Sequence, residues 1–329
     1  MVVDLSDALS DATIDLALAG IENPKNDAEL LLAHNLGVDR GELHRRLVLG
    51  SLEMGDAAAA NYAALIARRA RHEPLQHVTG QAHFRRLTLQ VGPGVFIPRP
   101  ETEVVAGAAI AEVERLRGES EQPGSGMAWQ AQAPIGPPTA RPKRLMRWAL
   151  QPQPKRPLVI DLGTGSGAIA LAVATETNAQ VIAIELADAA YQWAAKNITE
   201  LPPNKAVELR RADALSPPAD LIGKADVVVA NPPYIPPDAV PRDAEVRDYD
   251  PPTALYGGGP DGLELPSGFI AAAGELLRPG GLLIMEHGDN QGADIRGLAR
   301  AAGVFTNIET HQDLTGRDRY LSARKRPAA

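Results

Sequence analysis

The sequence predicts an α/β chain: a mostly parallel, doubly wound sheet preceded by a small helical bundle, with a β-hairpin between them. Three observations lead there. From Pro157 onward, short apolar runs bounded by turn residues alternate with helical patterns. Residues 1–72 carry helical periodicity. Residues 73–97 switch to a period of two. A length of 329 residues accommodates one large and one small domain, and a hydrophobic fraction of 44% supports a sizeable core.

In the first region, LSDALSDATIDLALAG sets Leu5, Leu9, Ile14, Leu16 and Leu18 along a helix that stops at Gly20. A second helix follows, with Asp27 as its expected N-cap, Glu22 and Glu29 as early acids, an apolar Leu30–Leu32 face and Gly37 as its stop. DAAAANYAALIARRARHEP is rich in alanine and ends before Pro74. In QAHFRRLTLQVGPGVF, Phe84, Leu87, Leu89 and Val91 alternate with polar residues, and Gly92-Pro93-Gly94 is the expected turn. The third region, 98–329, holds the sheet. Its strands are read in PLVIDLG, QVIAIE, AVELRRAD, ADVVVAN, GGLLIMEHG, VFTNIETHQD and RDRYLSARK, with helices in SGAIALAVATET and LADAAYQWAAKNI. No helical pattern separates the last two strands, so the last one is expected to run antiparallel. Within this region, residues 118–156 are rich in Pro, Gly and Gln and poor in periodicity, as in a flexible insertion. RPKRLMRWALQ, inside it, is basic and apolar and suits a short helix, either solvated or docking a partner.

Composition excludes several classes. A formal net charge of −8 argues against a large nucleic-acid footprint, which needs a basic face. The absence of cysteine removes disulfides, thiolate metal sites and a thiol nucleophile. No apolar run reaches the ~20 residues of a membrane span. The acidic N-terminal stretch lacks the basic start of a secretory signal. A cytoplasmic location is the resulting expectation, with a monomer as the default.

VIDLGTGSGAIA places Gly163, Gly165 and Gly167 between a strand and a helix, with Thr164 and Ser166 interleaved. Glycine admits tight turns and close approach of a ligand, and a helix N-terminus favours electron-rich groups. The spacing is neither that of a dinucleotide fingerprint nor that of a phosphate-binding P-loop. Glu185 closes the next strand about 20 residues on, where an acid in a doubly wound fold accepts both hydroxyls of a ribose. Its structural alternative is to cap the following helix. A glycine loop and an acid without a pyrophosphate cradle suit a nucleoside lacking phosphates, a description that S-adenosylmethionine fits. Asp161 would face the methionine ammonium of such a ligand, or else serve local turn hydrogen bonds. Asp213 would accept from the adenine amino group, or else be an exposed turn residue.

VVVANPPYIPP ends an apolar strand on Asn231 and stiffens the chain beyond it. The strand's carboxyl edge is where open α/β sheets bind ligands. The Asn231 side-chain oxygen and the Pro232 carbonyl are adjacent acceptors, able to hold a planar –NH2 group. Tyr234 would lie against that group's flat face, and Pro232 and Pro233 limit the ordering entropy lost on binding. A conjugated nitrogen is a poor nucleophile, so acceptors that favour its pyramidal form, with the methyl donor in line, meet the chemical need. A thioether leaves readily, so the reading requires neither a metal nor a strong general base.

These motifs resemble the class I methyltransferases that modify planar nitrogens, and within them the release factor glutamine methyltransferases, the HemK family. The resemblance rests on EPLQHVTGQAHF, FIPRPETE, DLGTGSGAIA, NPPYIP, GGPDGL and LRPGGLLIMEHG, and it spans nearly the whole chain outside 118–156. NPPY is shared by several nitrogen methyltransferases, whereas FIPRPETE and EPLQHVTG are far more specific. The resemblance implies a Rossmann-like class I methyltransferase sheet and S-adenosyl-L-methionine as cofactor. It implies methylation of the glutamine amide nitrogen in the Gly-Gly-Gln motif of class 1 peptide chain release factors. By position, Gly163–Gly167 would line the cofactor, Glu185 would hold the ribose, and Asn231–Tyr234 would hold the substrate amide. Family members often carry aspartate at the Glu185 position and a bulky aromatic after the acid at Asp213. This chain has Ala214 there, which leaves open what walls the adenine pocket. The rival readings are an N6-adenine or N4-cytosine amino methyltransferase acting on a flipped base of RNA or DNA, and a non-catalytic cofactor sensor.

Overall fold

The computed structural model describes residues 3–49, 53–121, 156–200 and 207–327. The first part is helical, as expected. A two-residue pair of strands, β1 (Val3–Asp4) and β2 (Glu53–Met54), ties together α1 (Leu5–Leu18), α2 (Pro24–Leu36), α3 (Arg40–Leu49) and α4 (Asp56–Arg69). Leu5, Leu16, Leu31, Leu32, Leu43, Tyr62 and Ile66 form their shared core. Two details depart from expectation. The N-cap of α2 is Asn23, not Asp27, because Pro24 has no N–H to satisfy and sets the first turn. Asp27 is instead buried inside the helix and accepts from Arg69 Nε at 2.8 Å. Ile14 and Leu18, two of the apolar residues along the predicted helix, are 54% and 83% exposed.

The connection to the sheet opens with a helix, α5 (Leu75–Thr79), and continues as the hairpin of β3 (Gln81–Phe84) and β4 (Leu87–Gln90). The hairpin turns at Arg85-Arg86, not at Gly92-Pro93-Gly94. Arg85 has φ 52°, held by its N–H donating to Glu103 Oε1 (2.9 Å) and its guanidinium pairing with Glu176 (2.6 Å). Gly92 serves close approach: a Cβ there would lie 2.6 Å from the Trp193 ring.

The sheet comprises β5 (Leu158–Leu162), β6 (Gln180–Glu185), β7 (Val207–Arg211), β8 (Ala225–Ala230), β9 (Leu277–Glu286), β10 (Phe305–Gln312) and β11 (Asp318–Lys325). Its order is β10-β11-β9-β8-β5-β6-β7. Strands β9, β8, β5, β6 and β7 are parallel; β11, the last in the chain, pairs antiparallel with both β9 and β10. Helices α6 (Thr102–Glu121), α7 (Ala168–Glu176), α8 (Asp188–Glu200), α9 (Ala244–Tyr249), α10 (Pro252–Leu255), α11 (Glu264–Leu276) and α12 (Gly292–Ala301) complete the described part. Strand alternation explains the two-sided core. Ile160, Val228, Leu283 and Leu321 pack with α11 and α12, while Val159, Val227, Val229 and Ile284 pack with α6 and α7. Residues 118–121, expected to open the flexible insertion, continue α6; the rest of that segment, RPKRLMRWALQ included, lies outside the described residues.

Two features place the site. From β5 the chain moves to β6 and β7 on one side and returns to β8 and β9 on the other. The carboxyl ends of β5 and β8 therefore flank a topological switch point, where such sheets open a crevice. The segment after β8 is also tied to the helical part: Arg69 Nη2 donates to Glu245 Oε1 (2.5 Å) and Tyr249 Oη to the Arg71 carbonyl (3.0 Å). Among the described residues no helix is long and apolar enough to cross a membrane.

Candidate active site

A cavity of about 620 Å³ opens at the switch point. Asp161, Gly163, Thr164, Gly165 and Ser166 line it from the β5–α7 turn, Glu185 and Asp213 from the ends of β6 and β7, and Asn231, Pro233 and Tyr234 from beyond β8. Gly167 and Pro232, also expected at the site, are buried and are not among the residues that line the cavity. Gly163, Gly165 and Gly167 have φ of 69°, 60° and 86°, a left-handed backbone that strains any other residue. A Cβ at Gly165 would meet nothing within 4 Å, so the cavity comes right up to that backbone.

Asp161 is buried, and its Oδ2 is fully engaged. It accepts from Thr164 Oγ1 (2.6 Å) and from the Ala170 N–H (3.1 Å). Its Oδ1 is buried with no hydrogen-bond partner among the described residues. Burial pushes this carboxyl up to about 7, and the neighbouring Glu185 charge adds to the rise. An unpartnered carboxylate oxygen beside a cavity fits a cationic donor such as an ammonium group.

Glu185 carries out the structural role and keeps room for a second one. Its Oε1 accepts from the Leu186 and Ala187 N–H groups (2.9 and 2.8 Å), and its Oε2 from the Gly165 N–H (2.8 Å). A carboxylate offers about four acceptor positions and these bonds take three, so one, on Oε2, remains for a ribose hydroxyl. Asp213 is exposed, and its Oδ1 accepts from the Leu215 N–H at 2.8 Å, the turn role weighed for it.

The loop of Asn231–Tyr234 is held by its neighbours' backbone. The Tyr234 and Ile235 N–H groups donate to the Leu255 carbonyl, and Gln291 Nε2 donates to the Tyr234 carbonyl (2.9 Å). The GGPDGL stretch packs directly beneath. A Cβ on Gly262 would lie 2.4 Å from the Tyr234 carbonyl oxygen, and one on the preceding Gly257 only 2.8 Å from that of Pro233. Asn231 Nδ2 donates to Thr102 Oγ1 (3.3 Å), which leaves Asn231 Oδ1 as the free acceptor end. The Tyr234 hydroxyl lies 3.4 Å from Glu286 Oε1, and burial pushes its pKa above the usual phenol range.

Residue by residue, the sequence reading overlooked Thr102, Glu286, Phe269 and the Arg99–Asp250 pair. Arg99 Nη2 donates to the buried Asp250 Oδ2 (2.5 Å) and its guanidinium stacks over Phe96 (5.1 Å to the centroid), so FIPRPETE braces the wall built by α9 and α10. The signal was present, since Thr102 and Arg99 lie in FIPRPETE and Glu286 in LRPGGLLIMEHG, but nothing in those motifs says which side chain meets which.

Residues 7–80 match the family model described as PrmC N-terminal domain, and residues 144–244 the one described as Methyltransferase small domain. A release factor glutamine methyltransferase of Bifidobacterium longum is 40% identical over 97% of this chain and 99% of its own length. That of Streptomyces coelicolor is 40% identical over 96% of each chain, and that of Mycolicibacterium smegmatis 39% identical over 97% of each. The chain belongs to the release factor glutamine methyltransferase family. Membership gives the overlooked residues a context. The aromatic missing at Ala214 has a counterpart in Phe269 of α11, which lines the cavity with its ring edge 3.5 Å from where a Gly163 Cβ would sit. Ala214 itself is buried in the same cluster as Phe269.

Proposed function

We propose that this chain transfers a methyl group from S-adenosyl-L-methionine to the side-chain amide nitrogen, N5, of the glutamine in the Gly-Gly-Gln motif of class 1 peptide chain release factors. The observation that carries this reading is the Asn231 amide, which lines the cavity with Nδ2 bound to Thr102 and Oδ1 left free, beside Asp161, whose buried Oδ1 has no partner among the described residues. When bound, the cofactor supplies an electrophilic methyl on a sulfonium centre with a neutral thioether as leaving group. Asp161 would receive the ammonium, Glu185 the ribose through its remaining Oε2 position and Asp213 the adenine amino group, while Gly163–Gly167 let the backbone approach. Asn231 Oδ1 and the Pro232 carbonyl accept the two amide hydrogens, favour pyramidal nitrogen and aim its lone pair; Tyr234 packs against the amide face. The proton released after transfer goes to water.

In this reading residues 1–72 form the substrate-recognition domain, 73–97 the linker and 98–329 the methyltransferase domain. The protein acts in the cytoplasm as a monomer and holds no nucleic acid stably, consistent with its net charge of −8. Incubation with labelled cofactor and a release factor will label the intact protein and not its Gln→Ala variant in the Gly-Gly-Gln loop. Equal labelling of both would sink the proposal, and tight, salt-sensitive nucleic-acid binding would point to a base as substrate instead.

Phe269 supplies the aromatic wall for adenine. Phe269→Leu keeps bulk but removes the π-face, so cofactor Kd should rise about fivefold, as expected for loss of a modest stacking term of ~1 kcal/mol. Titration calorimetry with S-adenosylhomocysteine reads this directly, and an unchanged Kd would move the wall elsewhere.

A further inference from the structure

Helix α9 buries none of its six residues, and a helix that short has little stability of its own. Polar ties therefore set its place. At its start the Asp243 side chain accepts from the Glu245 N–H (2.9 Å), and at its end Asp250 accepts from Arg99 Nη2 (2.5 Å). Val246, between them, lines the cavity. Two further ties lead away from the sheet: Glu245 accepts from Arg69, and Tyr249 donates to the Arg71 carbonyl. Among the described residues, these two are the hydrogen bonds that join the helical bundle directly to the part that carries the cavity.

Arg69 is the stronger of the two. It is buried, and its guanidinium forks between three segments. Nε donates to Asp27 Oδ2 of α2 (2.8 Å), Nη1 to the Glu73 carbonyl (3.0 Å) and Nη2 to Glu245 Oε1 of α9 (2.5 Å). A guanidinium is planar, rigid and always charged, so its two bonds inside the bundle fix where Glu245 has to sit. The linker holds the bundle on another side, where the Gln90 N–H donates to Asn197 Oδ1 of α8 (2.7 Å). A bundle held at the linker alone could pivot about it. The bond to α9 opposes that pivot.

We propose that Arg69 and Glu245 are positioning residues that set the register between the helical bundle and the cavity, so that a protein seated on the helices presents its glutamine at Asn231. Neither residue lines the cavity, and both act through α9. The need for such a register follows from the chemistry. A displacement of about 1 Å at the reacting atoms costs about 100-fold in rate. The inference rests on the proposed role of residues 1–72 in substrate recognition, because a substrate that touched only the cavity would be indifferent to where the bundle lies.

Glu245 is the side to change, since truncating Arg69 would strand Asp27 inside the bundle. Glu245→Ala removes the tie and leaves Arg69 bonded to Asp27 and Glu73. With a full-length release factor it should lower kcat/KM about 10- to 50-fold, the loss expected for one charge-assisted hydrogen bond. Glu245→Gln keeps an acceptor for Arg69 and should stay within about fivefold of the parent. A Gly-Gly-Gln peptide too short to reach the helices should be methylated by parent and Glu245→Ala at rates within about twofold, with cofactor Kd equally close, because α9 keeps its Asp243 and Arg99 ties. A Glu245→Ala protein with more than half the parent kcat/KM on the release factor overturns the register, and so does a peptide rate that falls as far as the release-factor rate, which would place the effect on the cavity wall. A parent protein that methylates no release-factor glutamine overturns the glutamine reading and the register with it.

Discussion

Asn231→Ala should reduce kcat on a release factor by about 10²–10³-fold, the range seen when one preorganised polar group is removed from a reaction centre. Cofactor Kd should stay within about threefold, because no bond that shapes the cofactor side of the cavity passes through the Asn231 side chain. Among the described residues Asn231 Nδ2 bonds Thr102 alone, and the loop is fixed by the Leu255 carbonyl and Gln291, which the substitution leaves in place. The lost acceptor is the one that opposes delocalisation of the amide lone pair, so the deficit falls on turnover and not on cofactor binding. Asn231→Asp is the informative companion. It keeps an oxygen toward the substrate but gives Thr102 no donor and adds a negative charge to the cavity wall, so it should recover only part of the loss. Single-turnover methyl transfer with saturating cofactor separates these effects, and turnover surviving in Asn231→Ala would refute the mechanism.

The parts that were legible from sequence are those decided by local pattern. QVIAIE is the strand Gln180–Glu185 to the residue, because a continuous buried apolar run of strand length between polar residues leaves one choice. Gly163–Gly167 were legible because a left-handed backbone needs glycine, and the Asn231 loop because prolines commit the chain before any tertiary contact forms. What was missed depends on partners far along the chain. Arg85-Arg86 are poor turn formers, and their hairpin turn exists because Glu103 and Glu176 hold Arg85 at positive φ. Asp27 reads as an N-cap until Arg69 is seen to neutralise it inside the helix. Short helices α9 and α10 rest on Glu245 and Tyr249 reaching the helical part and on Pro251-Pro252, not on propensity. The same separation hid the bond from Asn231 to Thr102 and that from the Tyr234 hydroxyl to Glu286. Each residue sat in a quoted motif, but a motif records identity and not adjacency.

Cofactor binding should be pH-dependent through Asp161, with a sign set by its burial. In the ligand-free protein burial raises this carboxyl to about 7, so below neutrality it is protonated. An ammonium ligand favours the ionised form, so binding below pH 7 must first release that proton, and affinity falls as pH falls. For a group titrating near 7, Kd at pH 6 should be about fivefold higher than at pH 8, where an α-amino group titrating near 8 is already about half uncharged. Asp161→Asn keeps an oxygen for the Thr164 and Ala170 donors and removes the charge. It should raise Kd at pH 8 about 100-fold, as when one partner of a buried charge pair is truncated, and should flatten the pH profile. The linkage to folding runs the other way. A carboxyl whose folded pKa is raised favours the folded state at low pH, and that contribution is lost as pH rises through about 7. The ligand-free protein should therefore lose stability between pH 6 and 8 while S-adenosylhomocysteine stabilises it more at pH 8 than at pH 6. Calorimetric titrations and thermal melts at the two pH values read both signs. A Kd independent of pH in the parent protein would remove Asp161 from contact with the ammonium.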